Sequence, residues 1–247
     1  MKRFIKDLVK AVPGVVPLAS WYFDQRFLAS VPTSCRAQIK ALMKNSRSQL
    51  RQDLFVLATL GLRRNGFFVE FGAADGVYLS NSWLLEKEFG WKGILAEPAR
   101  TSAESIRRSR SAILETDCVW RTTGDKLLFR EVDNSEFSTL DELASADCHK
   151  AERRSATTYE VTTVSLNDLL ARHHAPRVID YLSIDTEGSE AEILGAFDFR
   201  QHRFRVVTCE HNYTAEREKI FSTMTANGYK RVQTGLSRFD DWYVDAS

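Results

Sequence analysis

An α/β fold, with a mostly parallel sheet and helices on both faces, is predicted by three features of this 247-residue sequence. Four short apolar runs, at 67–71, 91–98, 178–184 and 205–209, are bounded by glycines or acids, as strands buried on both faces are. The last three each deliver a carboxylate at their end: Glu97, Asp185 and Glu210. Stretches of helical character separate the runs. Strand, helix, strand, acid is the order of nucleotide-binding α/β folds, which place ligands at the carboxyl ends of their strands.

The 43% apolar and 27% charged content suits a globular protein with a substantial core, either one domain with additions or two small domains. The net charge of +1 conceals an asymmetry. Up to Gln52, ten basic residues stand against Asp7 and Asp24, so this segment carries +8 and the remainder −7. A solvated helical face accounts for that, as does a surface for phosphate-bearing substrates, an anionic membrane or an acidic partner. Cys35, Cys118, Cys148 and Cys209 form no CxxC pair, which favours reduced thiols and a cytoplasmic location over a disulfide framework or zinc knuckle. No apolar stretch approaches the roughly 20 residues of a transmembrane helix. Asp7 and Lys10 interrupt the first apolar segment, so a signal peptide is not expected. Phe4, Ile5, Leu8, Val9 and Val12 recur at helical spacing, which suits docking on the domain or peripheral contact with a membrane surface.

Residues 15–31, aromatic and punctuated by prolines, predict short helices packed as a cap. Residues 34–62 read as one or two helices, stopped by Arg63-Arg64-Asn65-Gly66. The run at 67–71 ends in a small-residue turn, and Ser80-Asn81-Ser82 then starts a helix that ends at Gly90. A second strand (91–98), a short basic helix (103–110) and a third strand (112–116) lead to Asp117-Cys118. Residues 120–132 alternate around Gly124-Asp125, a hairpin signal. The polar stretch 133–158 predicts a lid, a binding loop or disorder. A strand at 159–164 and a helix capped by Ser165 precede the run at 178–184, which delivers Asp185-Thr186-Glu187-Gly188-Ser189-Glu190. Asp185 is the functional candidate there, and Glu190 reads as a solvated helix start. His173-His174 follow a helix end and are expected to face solvent. The fifth core strand leads to Glu210-His211-Asn212; a helix at 216–226 and a strand pair at 229–233 and 242–244 close the sheet.

The turn after the first strand carries Gly72, Ala74 and Gly76 in place of GxGxxG, and Glu97 lies 27 positions after Glu70, beyond the roughly 20 of dinucleotide sites. Glu70 and Asp75 would repel a pyrophosphate. They suit a ligand with hydroxyls and an ammonium. S-adenosylmethionine has both, together with a sulfonium favoured by an acidic, aromatic site, so it is preferred to NAD.

At this point the residues resemble the FkbM-type S-adenosylmethionine-dependent methyltransferases. The resemblance is carried by Gln49-Leu50-Arg51-Gln52-Asp53-Leu54-Phe55 and by Phe68-Val69-Glu70-Phe71-Gly72-Ala73-Ala74-Asp75-Gly76. It continues through Ser80-Asn81-Ser82 with Leu85-Glu86-Lys87, through Gly93-Ile94-Leu95-Ala96-Glu97-Pro98, and through the block from Ser183 to Glu190. It implies a Rossmann-like methyltransferase fold: a seven-stranded sheet whose last strand is inserted antiparallel. Residues 49–247 would form that domain and 1–48 an N-terminal helical extension. It further implies O-methylation of a hydroxyl on a sugar, glycoconjugate or natural product.

On this reading Glu70, Gly72, Ala73, Ala74 and Gly76 line the methionine end of the cofactor, with Asp75, Ser80 and Asp185 near its polar groups. Glu97, followed by Pro98, would hold the ribose hydroxyls, and Asp117 with Cys118 would sit at the adenine edge. A hydroxyl is a poor nucleophile at neutral pH, so a base or metal must help. His211 is the candidate base, oriented by Asp185 or Glu187; alternatively Asp185, Glu210 and His211 hold Mg²⁺ or a similar cation. A binding or scaffold module without turnover is the rival reading, and NAD-dependent redox chemistry a second. Nucleic acid is not the expected partner, because the Asn/Asp-Pro-Pro-Tyr block of amino-group methylation is absent and the core is acidic.

Overall fold

The four apolar runs lie side by side at the centre of one seven-stranded sheet, in a computed structural model that describes residues 15–132, 138–143 and 156–247. The pattern at 4–12, Cys148 and most of the polar stretch 133–158 lie outside the described residues.

Helix α1 (Val15–Ser30) is continuous where several short helices were expected. Pro17 falls in its first turn, where an amide has no intrahelical acceptor to lose. Phe23, Phe27 and Leu28 bury one side of α1 in the core over one sheet face. Helices α2 (Arg36–Leu42) and α3 (Gln52–Thr59) follow, and every α3 residue from Gln52 to Ala58 is buried. Then come β1 (Phe67–Phe71), α4 (Trp83–Phe89), β2 (Lys92–Ala96), α5 (Arg100–Ser109) and β3 (Ile113–Glu115). Three strands and two more form the middle of the chain: β4 (Cys118–Trp120), β5 (Lys126–Glu131), β6 (Thr139–Leu140), β7 (Thr157–Ser165) and β8 (Val178–Ile184), with α6 (Leu166–Arg172) before the last. The chain ends with α7 (Glu190–Ala196), β9 (Arg203–Glu210), α8 (Glu216–Ala226), β10 (Tyr229–Val232) and β11 (Asp240–Asp245).

The large sheet has the order β10-β11-β9-β8-β1-β2-β3. Strand β11 runs antiparallel to both β9 and β10, while β1, β2, β3, β8 and β9 are parallel to one another. This is the sheet of the Rossmann-like methyltransferase fold, with apolar cores on both faces. Because β1 pairs with β2 on one side and with β8 on the other, the strand order reverses there while all three strands stay parallel, and a crevice opens above their carboxyl ends.

The hairpin expected within 120–132 is not formed. Strand β7 inserts between its two arms, pairing parallel with β4 and antiparallel with β5, in a second sheet of order β4-β7-β5-β6. The Gly124-Asp125 turn is instead tied to β7: Gly124 N donates to Thr163 O at 2.9 Å, and Thr163 N to Asp125 O at 2.9 Å. Among the described residues no helix is long and apolar enough to cross a membrane.

Candidate active site

The tips of β1 and β8 approach so closely that only glycine fits between them. A Cβ on Gly72 would lie 1.7 Å from the Asp185 carbonyl oxygen, and Gly72 itself has φ +71°. Behind it, Glu70 is buried and fully engaged. Its Oε2 accepts from the hydroxyls of Ser80 (3.0 Å) and Ser82, and its Oε1 from Asn81 N (2.6 Å). The buried Arg110 backs this clasp. It bonds Glu86 (2.9 Å), the Gly76 carbonyl (2.7 Å) and the Ser80 and Ser82 hydroxyls, and lies 3.9 Å from Glu70. Glu70 therefore shapes the loop over 72–82, and Ser82, whose hydroxyl is used here, does not cap α4. Asp75 turns onto its own loop, accepting from Val77 N (2.8 Å) and Tyr78 N (2.7 Å).

At the tip of β2, Glu97 is buried with Oε2 on Ala74 N and Oε1 on Ala99 N, both at 2.9 Å. Burial, aided by the charge of Glu131, pushes its pKa up to about 7 in spite of the two amides. Cys118 stands nearby, its thiol pushed up to about 12 by burial and by Glu97 and Asp117. Asp117 itself turns outward to Arg172 (2.8 Å).

The tips of β8 and β9 gather acids. Asp185, Glu187 and Glu210 each bring a carboxylate oxygen within 4.8 Å of the others. Burial, then the charges of Asp185 and Glu187, hold the Glu210 carboxyl well above its ordinary range, while Asn212 Nδ2 donates to it at 2.6 Å. Asp240, on β11, is raised to about 7 by burial and by Asp185, and Gln52 Nε2 fixes it at 2.8 Å. Glu190 is not the solvated helix start expected of it. It is buried and clasps its own turn, accepting from Thr186 N (2.8 Å) and Gly188 N (3.1 Å). His173 is likewise half-buried, with Nε2 3.0 Å from Glu115.

These tips line one cavity of about 600 Å³. Of the residues singled out from the sequence, it brings together Glu70, Gly72, Ala73, Ala74, Ser80, Glu97, Pro98, Cys118, Asp185, Glu187 and Glu210. Asp75, Gly76, Asp117 and His211 are not in its wall. The expected base is thus set apart from the crevice: the His211 ring is buried, Nδ1 accepts from Tyr213 N at 2.9 Å, and Nε2 lies 3.8 Å from Asp241. The physical reason is that Asn212 and Tyr213 both take left-handed φ (43° and 58°), which folds the chain back over the imidazole.

The second sheet supplies what the sequence did not signal. Val119, Phe129 and Leu140 form an apolar wall beside Cys118 and Pro98, and Thr139 Oγ1 ties that sheet to the Glu187 carbonyl at 3.0 Å. Tyr78 and Phe239 add aromatic surface. Asn81 stood out as a helix-start residue and as part of the Ser80-Asn81-Ser82 motif, not as a site residue, yet its side chain lines the cavity, bonded to Ser183 through Nδ2 (3.0 Å) and with Oδ1 buried and unpartnered. Left-handed φ at Ala74 (45°), Glu187 (58°) and Asn212 (43°) places backbone strain around the same crevice.

Solved structures of other proteins resemble this chain. The structure is similar to a methyltransferase FkbM from Methylobacillus flagellatus KT, at 10% identity over 85% of this chain and 58% of that chain, with TM-score 0.43. It is also similar to a precorrin-6y C5,15-methyltransferase from Geobacter metallireducens GS-15, at 14% identity over 78% and 85% of the two chains, with TM-score 0.39. The chain thus spans less than two thirds of the length of the first of these. No curated protein matches the sequence. The family model for the methyltransferase FkbM domain matches residues 70–232, well over half of the sequence. The chain belongs to the FkbM methyltransferase family.

Proposed function

We propose that this chain transfers the methyl group of S-adenosylmethionine to a hydroxyl of a sugar, glycoconjugate or natural product. The observation that carries the reading is one cavity combining the buried Glu97 carboxylate, an apolar wall and an acid cluster in which the Glu210 carboxyl is raised. The residues fit the cofactor. Glu97 has accepted only two bonds and keeps lone pairs for a ribose diol. The unpartnered Asn81 Oδ1 suits an amino group, since a buried acceptor without a donor is costly. Phe129, Leu140 and Pro98 offer a surface for a flat base. When bound, S-adenosylmethionine supplies an electrophilic methyl on a sulfonium.

The chain's own task is to orient the acceptor oxygen and take its proton. A carboxylate whose pKa is raised is a stronger base once ionised, and Glu210 is raised by burial and by the charges of Asp185 and Glu187. The acid cluster therefore supports proton removal within the cavity, a place His211 does not occupy. The same three oxygen donors are spaced for a hard divalent cation, the other means of activating a hydroxyl.

The test is a panel of glycosides and hydroxylated natural products incubated with methyl-labelled cofactor and read by mass spectrometry. A gain of one methyl on oxygen, lost in Glu210→Gln and Asp185→Asn while cofactor still binds, supports the reading. Methyl transfer to nitrogen or carbon, or cofactor binding without turnover on any acceptor, sinks it. A rate that follows added Mg²⁺ assigns the cluster to a cation; an unchanged rate assigns it to base catalysis.

A further inference from the structure

We propose that the outward face of α1 is a docking surface for an anionic lipid bilayer. This stands independently of the methyl-transfer reading. Helix α1 is apolar on two sides. Phe23, Phe27 and Leu28 are covered by the core, whereas Trp21 and Tyr22, adjacent in sequence, are 59% and 60% exposed. Fixing the inner side leaves that pair no way to turn inward, so two large amphipathic aromatics are held toward solvent. Trp and Tyr in such a position match the headgroup region of a bilayer, where an apolar ring and a polar tip are both accommodated.

Exposed basic side chains accompany them in this segment. Arg26, one turn after Tyr22, is exposed, with its guanidinium 6.0 Å from the Tyr22 ring. Asp24, the acid of this helix, is occupied by Arg51 through two bonds of 3.1 and 3.2 Å. Lys40, Lys44 and Arg47 are exposed in the same N-terminal segment. The sequence directly before α1 adds Lys2, Arg3, Lys6 and Lys10 against Asp7 alone. Exposed aromatics beside the exposed Arg26, in a segment whose sequence to Gln52 carries +8, complement anionic headgroups in both chemistry and charge. A merely solvated helical face would explain the cations without the aromatics.

The test uses the full chain, sedimented with phosphatidylcholine vesicles with and without about 30% phosphatidylserine. Binding is expected on the anionic vesicles only, and is expected to fall at about 0.5 M salt, where the Debye length is a few ångströms. Trp21→Ala with Tyr22→Ala is expected to weaken partition about fivefold or more while circular dichroism and cofactor affinity stay unchanged. Arg26→Glu with Lys40→Glu and Lys44→Glu is expected to abolish it. Failure to bind anionic vesicles, equal binding by the aromatic double variant, or a dimer in light scattering that this variant dissolves would each overturn the proposal.

Discussion

His211 Nδ1 accepts a hydrogen bond from the Tyr213 amide at 2.9 Å, a contact that an imidazole protonated at Nδ1 cannot make. Burial holds the ring's pKa below its ordinary value, partly against the pull of Asp241. The imidazole is thereby kept neutral as a clasp on the turn that brings Asn212 to Glu210. His211→Ala is expected to lower stability by about 1–3 kcal/mol, the cost of an unpaired buried amide. His211→Asn, whose Oδ1 can replace Nδ1, should recover most of the loss. If His211 were the base, neither variant would retain turnover and the acidic limb of the pH–rate profile would vanish; the clasp predicts that the limb stays.

Gly72→Ala tests the junction between β1 and β8. The new methyl would meet a backbone oxygen at 1.7 Å, and φ +71° is strained for any L side chain. Its nearest atoms are all backbone atoms of Asp185, with no flexible side chain to move aside. A loss of at least about 3 kcal/mol is expected, measured by urea unfolding. A variant within about 1 kcal/mol of the parent would show that the two strand tips are free to separate.

The contrast between Gly72 and His211 shows where the sequence was legible. Strands β1, β2, β8 and β9 could be read because parallel strands are buried on both faces and so appear as uninterrupted apolar runs. The acids at their ends could be read because chain direction places them at one edge of the sheet. Partnerships across the fold could not. Strand β7 inserts between β4 and β5 from more than 25 residues downstream, and Gln52 meets Asp240 across 188 positions. Nor does local pattern reveal which way an acid turns. Glu70, Glu97 and Glu190 are all buried, and Glu70 and Glu97 both line the cavity, but Glu70 and Glu190 are used up by nearby backbone and hydroxyl donors, whereas Glu97 accepts only two amides.

Arg110 tests the loop that carries Asn81. Its side chain is wholly buried against Glu86 and the Ser80 and Ser82 hydroxyls. Arg110→Met would leave Glu70 without the cation 3.9 Å away and Glu86 with Lys87 alone, and removing one partner of a buried pair costs about 3–5 kcal/mol. The variant is expected to melt well below the parent, and to bind S-adenosylhomocysteine more weakly at temperatures where it is folded. Parent-like affinity in the folded variant would detach the loop from the cofactor.

Glu97 should make cofactor affinity depend on pH. With its pKa near 7, the carboxylate is ionised only above neutrality, and only then can it accept from both hydroxyls of a diol. Calorimetric affinity for S-adenosylhomocysteine is expected to rise from about pH 6 to about pH 8, by up to roughly tenfold. Glu97→Gln should bind about tenfold more weakly and lose the dependence. A flat profile in the parent would assign the ribose to another residue.

The crowded acids also set how the cofactor-free fold responds to pH. Asp53, Glu97 and Asp240 are raised to about 6, 7 and 7 from ordinary values of 3.8, 4.5 and 3.8, mainly by burial, and Glu190 and Glu210 are raised as well. A raised carboxyl keeps its proton in the folded chain after the unfolded chain has released it. Stability from these groups is therefore lost as pH rises from their ordinary values through about 7. His211, lowered, acts in the opposite sense below 6.5, but it is one group against five. The lowered acids Glu86, Glu115 and Asp241 have already given up their protons in both states over this window. Scanning calorimetry is thus expected to give a higher Tm near pH 5.5 than near pH 7.5. Asp240→Asn should reduce the difference, because the amide cannot ionise while Gln52 still has an oxygen to donate to. A Tm that climbs steadily toward pH 7.5 in the parent would mean that the cavity acids are solvated and their protons exchange freely with water.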